Sequence, residues 1–154
     1  AIGAYNRLMR LRYQVGMAFA PVDEQFRQAI ALVAETLPDA ELPLAAGLRG
    51  AADQFEACLK AARARPLFAP AMAALQTARQ TLNMTWARLQ EGPHDLAGSP
   101  VPESLNMRWN LIATTADIAS QEFNRKVQAY NDAIRQFPAV LLAMLFGFQA
   151  ARPL

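Results

Sequence analysis

The chain has 154 residues, of which 53% are hydrophobic and 18% charged, enough for one domain with a continuous core and too short for two comfortable ones. Fifteen Lys and Arg against thirteen Asp and Glu leave a formal net charge of +2, far from the dense basic face of a nucleic-acid binder. One cysteine, Cys58, rules out an internal disulfide, and every strongly apolar run is broken by Arg, Pro or Gly before the roughly 18 to 20 residues that cross a bilayer.

The apolar spacing is helical from end to end. Leu8, Leu11, Val15, Ala18, Val22, Phe26, Ile30 and Val33 follow at steps of three or four, which places them on one stripe of a first helix over 2–36. Pro21 is its one serious defect and predicts a kink near Ala18 to Pro21 or a break there. Pro38 and Pro43 mark the first turn region. A second helix over 41–64 carries Leu44, Leu48, Ala51, Phe55, Leu59 and Ala62, with Gly47 and Gly50 weakening it while letting a neighbour approach. A third over 67–90 carries Leu67, Phe68, Met72, Leu75, Leu82, Trp86 and Leu89, its start bracketed by Pro66 and Pro70.

EGPHDLAGSPVP at 91–102 is the clearest loop. Beyond it Leu105, Trp109, Ile112, Ala116, Ala119, Phe123, Val127, Tyr130, Ile134 and Phe137 make an uninterrupted stripe. This fourth helix, over 103–137, begins after Pro102 with Glu103 at the positive end of the dipole, stops at Pro138, and is roughly 50 Å long. An apolar tail fills 139–154. No strand alternation competes, so the expected fold is all-α: an antiparallel up-down four-helix bundle with long first and last helices, in a single domain.

Little in this chain points to catalysis. His94 is the lone histidine and falls in the Gly/Pro loop, so no multi-histidine metal site can be assembled. Cys58 sits among Phe55, Leu59 and Ala62 and reads as a small buried hydrophobe without a base. Asp53 and Glu56 share a helical face, as solvated surface carboxylates commonly do. P-loop, dinucleotide and nucleophile-elbow motifs are absent. The expectation is a protein that is not an enzyme and needs no metal or cofactor.

Aromatic-asparagine pairs recur at Tyr5-Asn6, Phe123-Asn124 and Tyr130-Asn131. The aromatic suits the core, and the asparagine a seam where it bonds a neighbouring helix and fixes register. These pairs lie within longer signatures: YNRLMRLR at 5–12, FNRKVQAYNDAIRQFP at 123–138 and LLAMLFGFQ at 141–149. Together they resemble the opening and closing signatures of the LemA family, with matches at Tyr5, Asn6, Leu8, Leu11, Arg12, Asp23, Tyr130, Asn131, Phe137, Pro138 and Phe146 to Phe148. The middle departs: ALVAETLPDAELPLAAGLRG stands where the family has a pattern like NLV-x-x-V-x-G-Y, as in a divergent member. The resemblance implies a bacterial protein with a transmembrane helix directly before the YN-x-L motif, followed by a long-helix bundle. The chain does not open with a signal peptide, and its start at Ala1 is expected to be a cut made for expression or left by processing.

An even number of up-down helices puts the start of the first and the end of the last at one end. With an anchor ahead of Ala1, the apolar residues Leu145, Phe146 and Phe148 would emerge beside the membrane and dip into its interface; the alternative is that they fold back and close the open end of the core, which keeps an apolar patch out of water. Arg7, Arg10 and Arg12 precede any acidic residue and favour the cytoplasmic side of the inner membrane. The expected function is a non-catalytic, membrane-tethered scaffold or adaptor of the bacterial envelope that binds a protein partner, with the membrane surface as a further contact. The alternative is a lipid- or peptide-binding module using an apolar groove beside the second helix, where Gly47 and Gly50 leave room. Leftover apolar surface on the third helix is available for an oligomer.

Overall fold

The computed structural model describes residues 2–36, 43–91, 101–136 and 151–154. They form four helices, α1 (Ile2–Thr36), α2 (Pro43–Ala64), α3 (Ala69–Glu91) and α4 (Glu103–Arg135). There is no strand among them, and the helices pack as a bundle.

Helix α1 runs through Pro21 without the break that its sequence allowed. Pro21 lies on the solvent side, while Val15, Phe19, Val22 and Phe26 beside it are buried. The backbone bond that proline removes is therefore lost where water can replace it, and the apolar face holds the helix together.

The other boundaries move by one or two residues. Helix α2 is described from Pro43, whose missing N–H would be unpaired in a first turn anyway, and residues 41 and 42, where the second helix is expected to start, lie outside the described residues. Helix α3 begins at Ala69 rather than 67 because Pro66 and Leu67 form a turn, closed by the Phe68 N–H donating to the Arg65 carbonyl at 3.0 Å. Ahead of α4, the Pro102 carbonyl accepts from the N–H groups of Leu105 and Asn106, both at 3.1 Å. At its far end Gln136 turns extended, its N–H donating to Ala133.

One core joins the elements. Phe19 of α1 meets Phe123 of α4 edge to face at 5.6 Å between centroids, and Phe26 of α1 lies 5.0 Å from Phe55 of α2. Arg7 near the start of α1 donates to Gln136 just past α4 at 3.0 Å, and Arg108 near the start of α4 makes two bonds to Glu35 near the end of α1.

Helices α3 and α4 stand further apart: no Cα of one lies within 8 Å of a Cα of the other. Toward the α3 C-terminus that space is filled by Trp86 and Trp109, stacked 4.2 Å apart and within 6° of parallel. Next to them Asn106 accepts from the Trp86 indole N–H at 3.5 Å and from Gln90. Toward the other end, residues 151–154 fill it.

Candidate functional site

Asn124 and Asn131 are seven residues apart on α4, two turns along one face and roughly 10.5 Å in rise. Asn131 donates from Nδ2 to the Ala151 carbonyl and accepts the Ala151 N–H on Oδ1, both at 2.8 Å. Asn124 does the same for Leu154, with its Nδ2 at 3.2 Å from the carbonyl and its Oδ1 at 2.5 Å from the N–H. A carboxamide carries a donor and an acceptor side by side, so each asparagine satisfies both main-chain groups of one residue. The contacts read backbone and not side chain.

What lies in the groove follows from its own sequence. Pro153 fixes its φ and restricts Arg152 before it to extended conformations. Arg152 and Pro153 are exposed, Ala151 is buried, and Leu154 is half-buried against the core. Arg152 donates to Gln76 on the α3 wall at 3.3 Å. Beside Leu154 a cavity of about 260 Å³ opens, with Phe26, Leu75 and Trp109 among its apolar lining and Gln76, Arg79 and Asp117 among its polar lining. Arg79 ties the walls together, donating to Asp117 Oδ1 at 2.8 Å and to the Ala113 carbonyl at 3.5 Å, with its guanidinium 4.9 Å from the Phe26 ring centroid.

A second opening of about 470 Å³ lies where α1 meets the α2–α3 turn, lined by Met9, Arg12, Tyr13, Arg65, Phe68 and Tyr130 among others. Arg65 stacks over Phe68 at 4.0 Å. Tyr13, 67% exposed, and Met17, 56% exposed, continue an apolar stripe on α1.

The family-motif residues separate into different roles. Tyr130 is fully buried and Tyr5 packs half-buried against the core, whereas Asn6 is exposed. Asn131 bonds the extended segment instead of the neighbouring helix its position suggested. Arg7, Arg10 and Arg12 are exposed on the first turns of α1. Phe137, Pro138, Leu145, Phe146 and Phe148, like His94, lie outside the described residues. Gly47 and Gly50 are both on exposed positions of α2; a Cβ added at Gly47 would sit 4.0 Å from Thr85, and one at Gly50 would meet nothing within 4 Å. An opening of about 390 Å³ lies along α2 and α3, next to Gly50, lined by Ala51, Gln54, Cys58, Ala74, Thr77 and Ala78 among others; the groove between α3 and α4 differs from it in holding a segment of the chain.

Charged groups elsewhere serve as pins. Asp23 is buried and takes two bonds from Arg63, whose pKa is raised by that pairing. Glu35 is held below the ordinary carboxylate value by its bond to Arg108. Among the described residues no three His, Cys, Asp or Glu side chains gather as a metal site, and Cys58 is half-buried with Gln54 Nε2 at 3.6 Å from its sulfur.

The LemA family model matches residues 55–154. The chain belongs to the LemA family. The matched stretch holds most of the groove: Gln76 and Arg79 on α3, both asparagines on α4, and the segment they clasp. The YNRLMRLR stretch of α1 falls outside it. No curated protein and no solved structure matches this LemA-family chain. Nothing in its sequence had linked Asn124 to Leu154 or Asn131 to Ala151; the visible signal was the spacing of seven between two asparagines on a stripe otherwise built for packing.

Proposed function

We propose that this LemA-family bundle is a non-catalytic scaffold whose α3/α4 groove receives an extended stretch of a protein partner, and that residues 151–154 are its intramolecular occupant. The observation that carries this is the pair of reciprocal asparagine contacts, which grip an extended chain by groups that every polypeptide has. An amide-lined groove suits a peptide backbone better than an acyl chain, so the peptide reading is preferred to a lipid one.

We further infer that the helices alternate up and down. The pairings Arg7 with Gln136, Glu35 with Arg108, Phe26 with Phe55 and Arg79 with Asp117 support this. In that arrangement an anchor ahead of Ala1 and the apolar residues Leu145, Phe146 and Phe148 share one end. The scaffold is then tethered to the bacterial inner membrane, its arginines at 7, 10 and 12 favouring the cytoplasmic side, with the tail as a second membrane contact.

The test uses the full chain with Ala151→Asp, which drives a charge into a buried position and releases the occupant. A fluorescein-labelled QAARPL peptide should bind this variant saturably by anisotropy, and adding Asn124→Ala and Asn131→Ala should abolish the binding. A folded variant that ignores the peptide, or binds it without the asparagines, would refute the reading. Flotation with anionic vesicles that survives Phe146→Asp with Phe148→Asp would remove the tail from the membrane.

A further inference from the structure

Resting on the groove as a partner site, we propose that its partner is a proline-containing extended segment of another protein with the pattern small residue, any residue, proline, large apolar residue. The argument begins with the interval between rungs. Residues 151 and 154 both turn N–H and C=O to α4. In a β-strand like-facing residues recur every two positions, whereas polyproline II repeats every three at about 3.1 Å per residue. An interval of three therefore selects the polyproline II periodicity, and its span of about 9 Å comes close to two turns of α4.

Each position then has its own requirement. The first is buried against α4, where the occupant places Ala151, so a small side chain suits it. At the second, Arg152 is exposed and donates to Gln76, so the side chain there is loosely restricted. The third makes no main-chain bond to either asparagine, so proline loses nothing by lacking an N–H and contributes the pre-set φ that keeps the segment extended. The fourth, held by Leu154, borders the cavity of about 260 Å³, whose lining combines Phe26, Leu75 and Trp109 with the polar Gln76, Arg79 and Asp117. That space admits a bulkier apolar side chain than leucine.

A partner bearing phenylalanine at the fourth position thus has an advantage over the chain's own residues, which is what displacement of an intramolecular occupant demands. The groove selects by conformation first and by one pocket second.

The experiment compares three labelled peptides, QAARPL, QAARPF and QAARGL, on the full chain carrying Ala151→Asp, with Pro153→Gly as a second background that loosens the occupant without burying a charge. The expected order is QAARPF tightest and QAARGL weakest, the glycine peptide losing roughly two- to fivefold against its proline counterpart, with all binding lost on adding Asn124→Ala and Asn131→Ala. Equal, asparagine-dependent binding of the three would overturn the sequence pattern while leaving main-chain docking intact. Binding of none in either folded background would overturn both. Dimers formed by the released variant that exclude every peptide would give the groove to a second copy of this chain and overturn the proposal.

Discussion

Asp23 and Arg63, 40 residues apart, meet through two parallel bonds of 2.9 Å that fasten α1 to α2. The two partners are unequally placed: the Asp23 side chain is 9% exposed and that of Arg63 45%. Removing Arg63 strands a buried carboxylate whose other ion-pair partner among the described residues is Arg27 at 3.6 Å, while removing Asp23 leaves a guanidinium that water can reach. Arg63→Ala is therefore expected to cost about 2 kcal/mol and Asp23→Asn about 1 kcal/mol, an order that urea unfolding of the two variants would check.

The asparagine clasp makes a different prediction, because its loss frees a segment and leaves the helix intact. Asn131→Ala leaves the buried N–H and carbonyl of Ala151 without their partner, and should cost about 1–3 kcal/mol. Asn124→Ala, at a half-buried site, should cost less. Hydrogen exchange is the direct readout: the amides of Ala151 and Leu154 lose protection in these variants, with α4 little changed.

Trp86 and Trp109 bridge α3 and α4 where no Cα of one helix comes within 8 Å of the other. Truncating either to Ala opens a void between α3 and α4 and should destabilise by about 3–5 kcal/mol. Two stacked indoles also couple optically, so a circular-dichroism couplet in the wild type should vanish in either Trp→Phe variant.

Ser120 is buried in α4 with its Oγ lacking a hydrogen-bond partner. Replacing it with Ala removes an unsatisfied polar atom at nearly constant volume, and alanine is also the better helix former. Ser120→Ala should raise stability by about 1 kcal/mol, read as an increase in Tm.

Glu35 gives the acid limb of the pH profile a testable component. Its bond to Arg108 lowers its pKa in the folded chain from the ordinary 4.5, so the folded state holds this proton less readily than the unfolded one. The resulting stabilisation is present above the ordinary value and is lost as pH falls through the lowered one. Carboxyl NMR titration should show the depressed midpoint, moving back toward 4.5 in Arg108→Ala and, because both groups are exposed, in high salt.

The helices could be read from the sequence because burial imposes a period, and a period survives in a single chain. The stripes through Val15, Phe26, Phe55, Leu75 and Phe123 are core residues as expected. Pro21 could not by itself decide whether α1 continues, because residue type says nothing about which side of a helix a lost backbone bond will face, and here the helix runs on unbroken. Asn131 misled for a related reason: an asparagine beside a core tyrosine announces a buried polar contact but not its partner. That partner is a backbone, and backbones leave no mark in composition. The pairing with Ala151 could only come from geometry, as could the separation of α3 from α4 that makes room for it.

The two repeats that face each other in the groove are not commensurate. Two turns of α4 advance roughly 10.5 Å while three residues of an extended chain advance about 9 to 10 Å, so each rung brings a slip of about an ångström or less. Two rungs absorb that slip within the tolerance of hydrogen-bond lengths, but by a fourth the acceptor and donor would be out of step. The mismatch acts as a vernier that sets the length of the message: a straight helix of this kind can grip a short stretch of polypeptide firmly and must let a long one go.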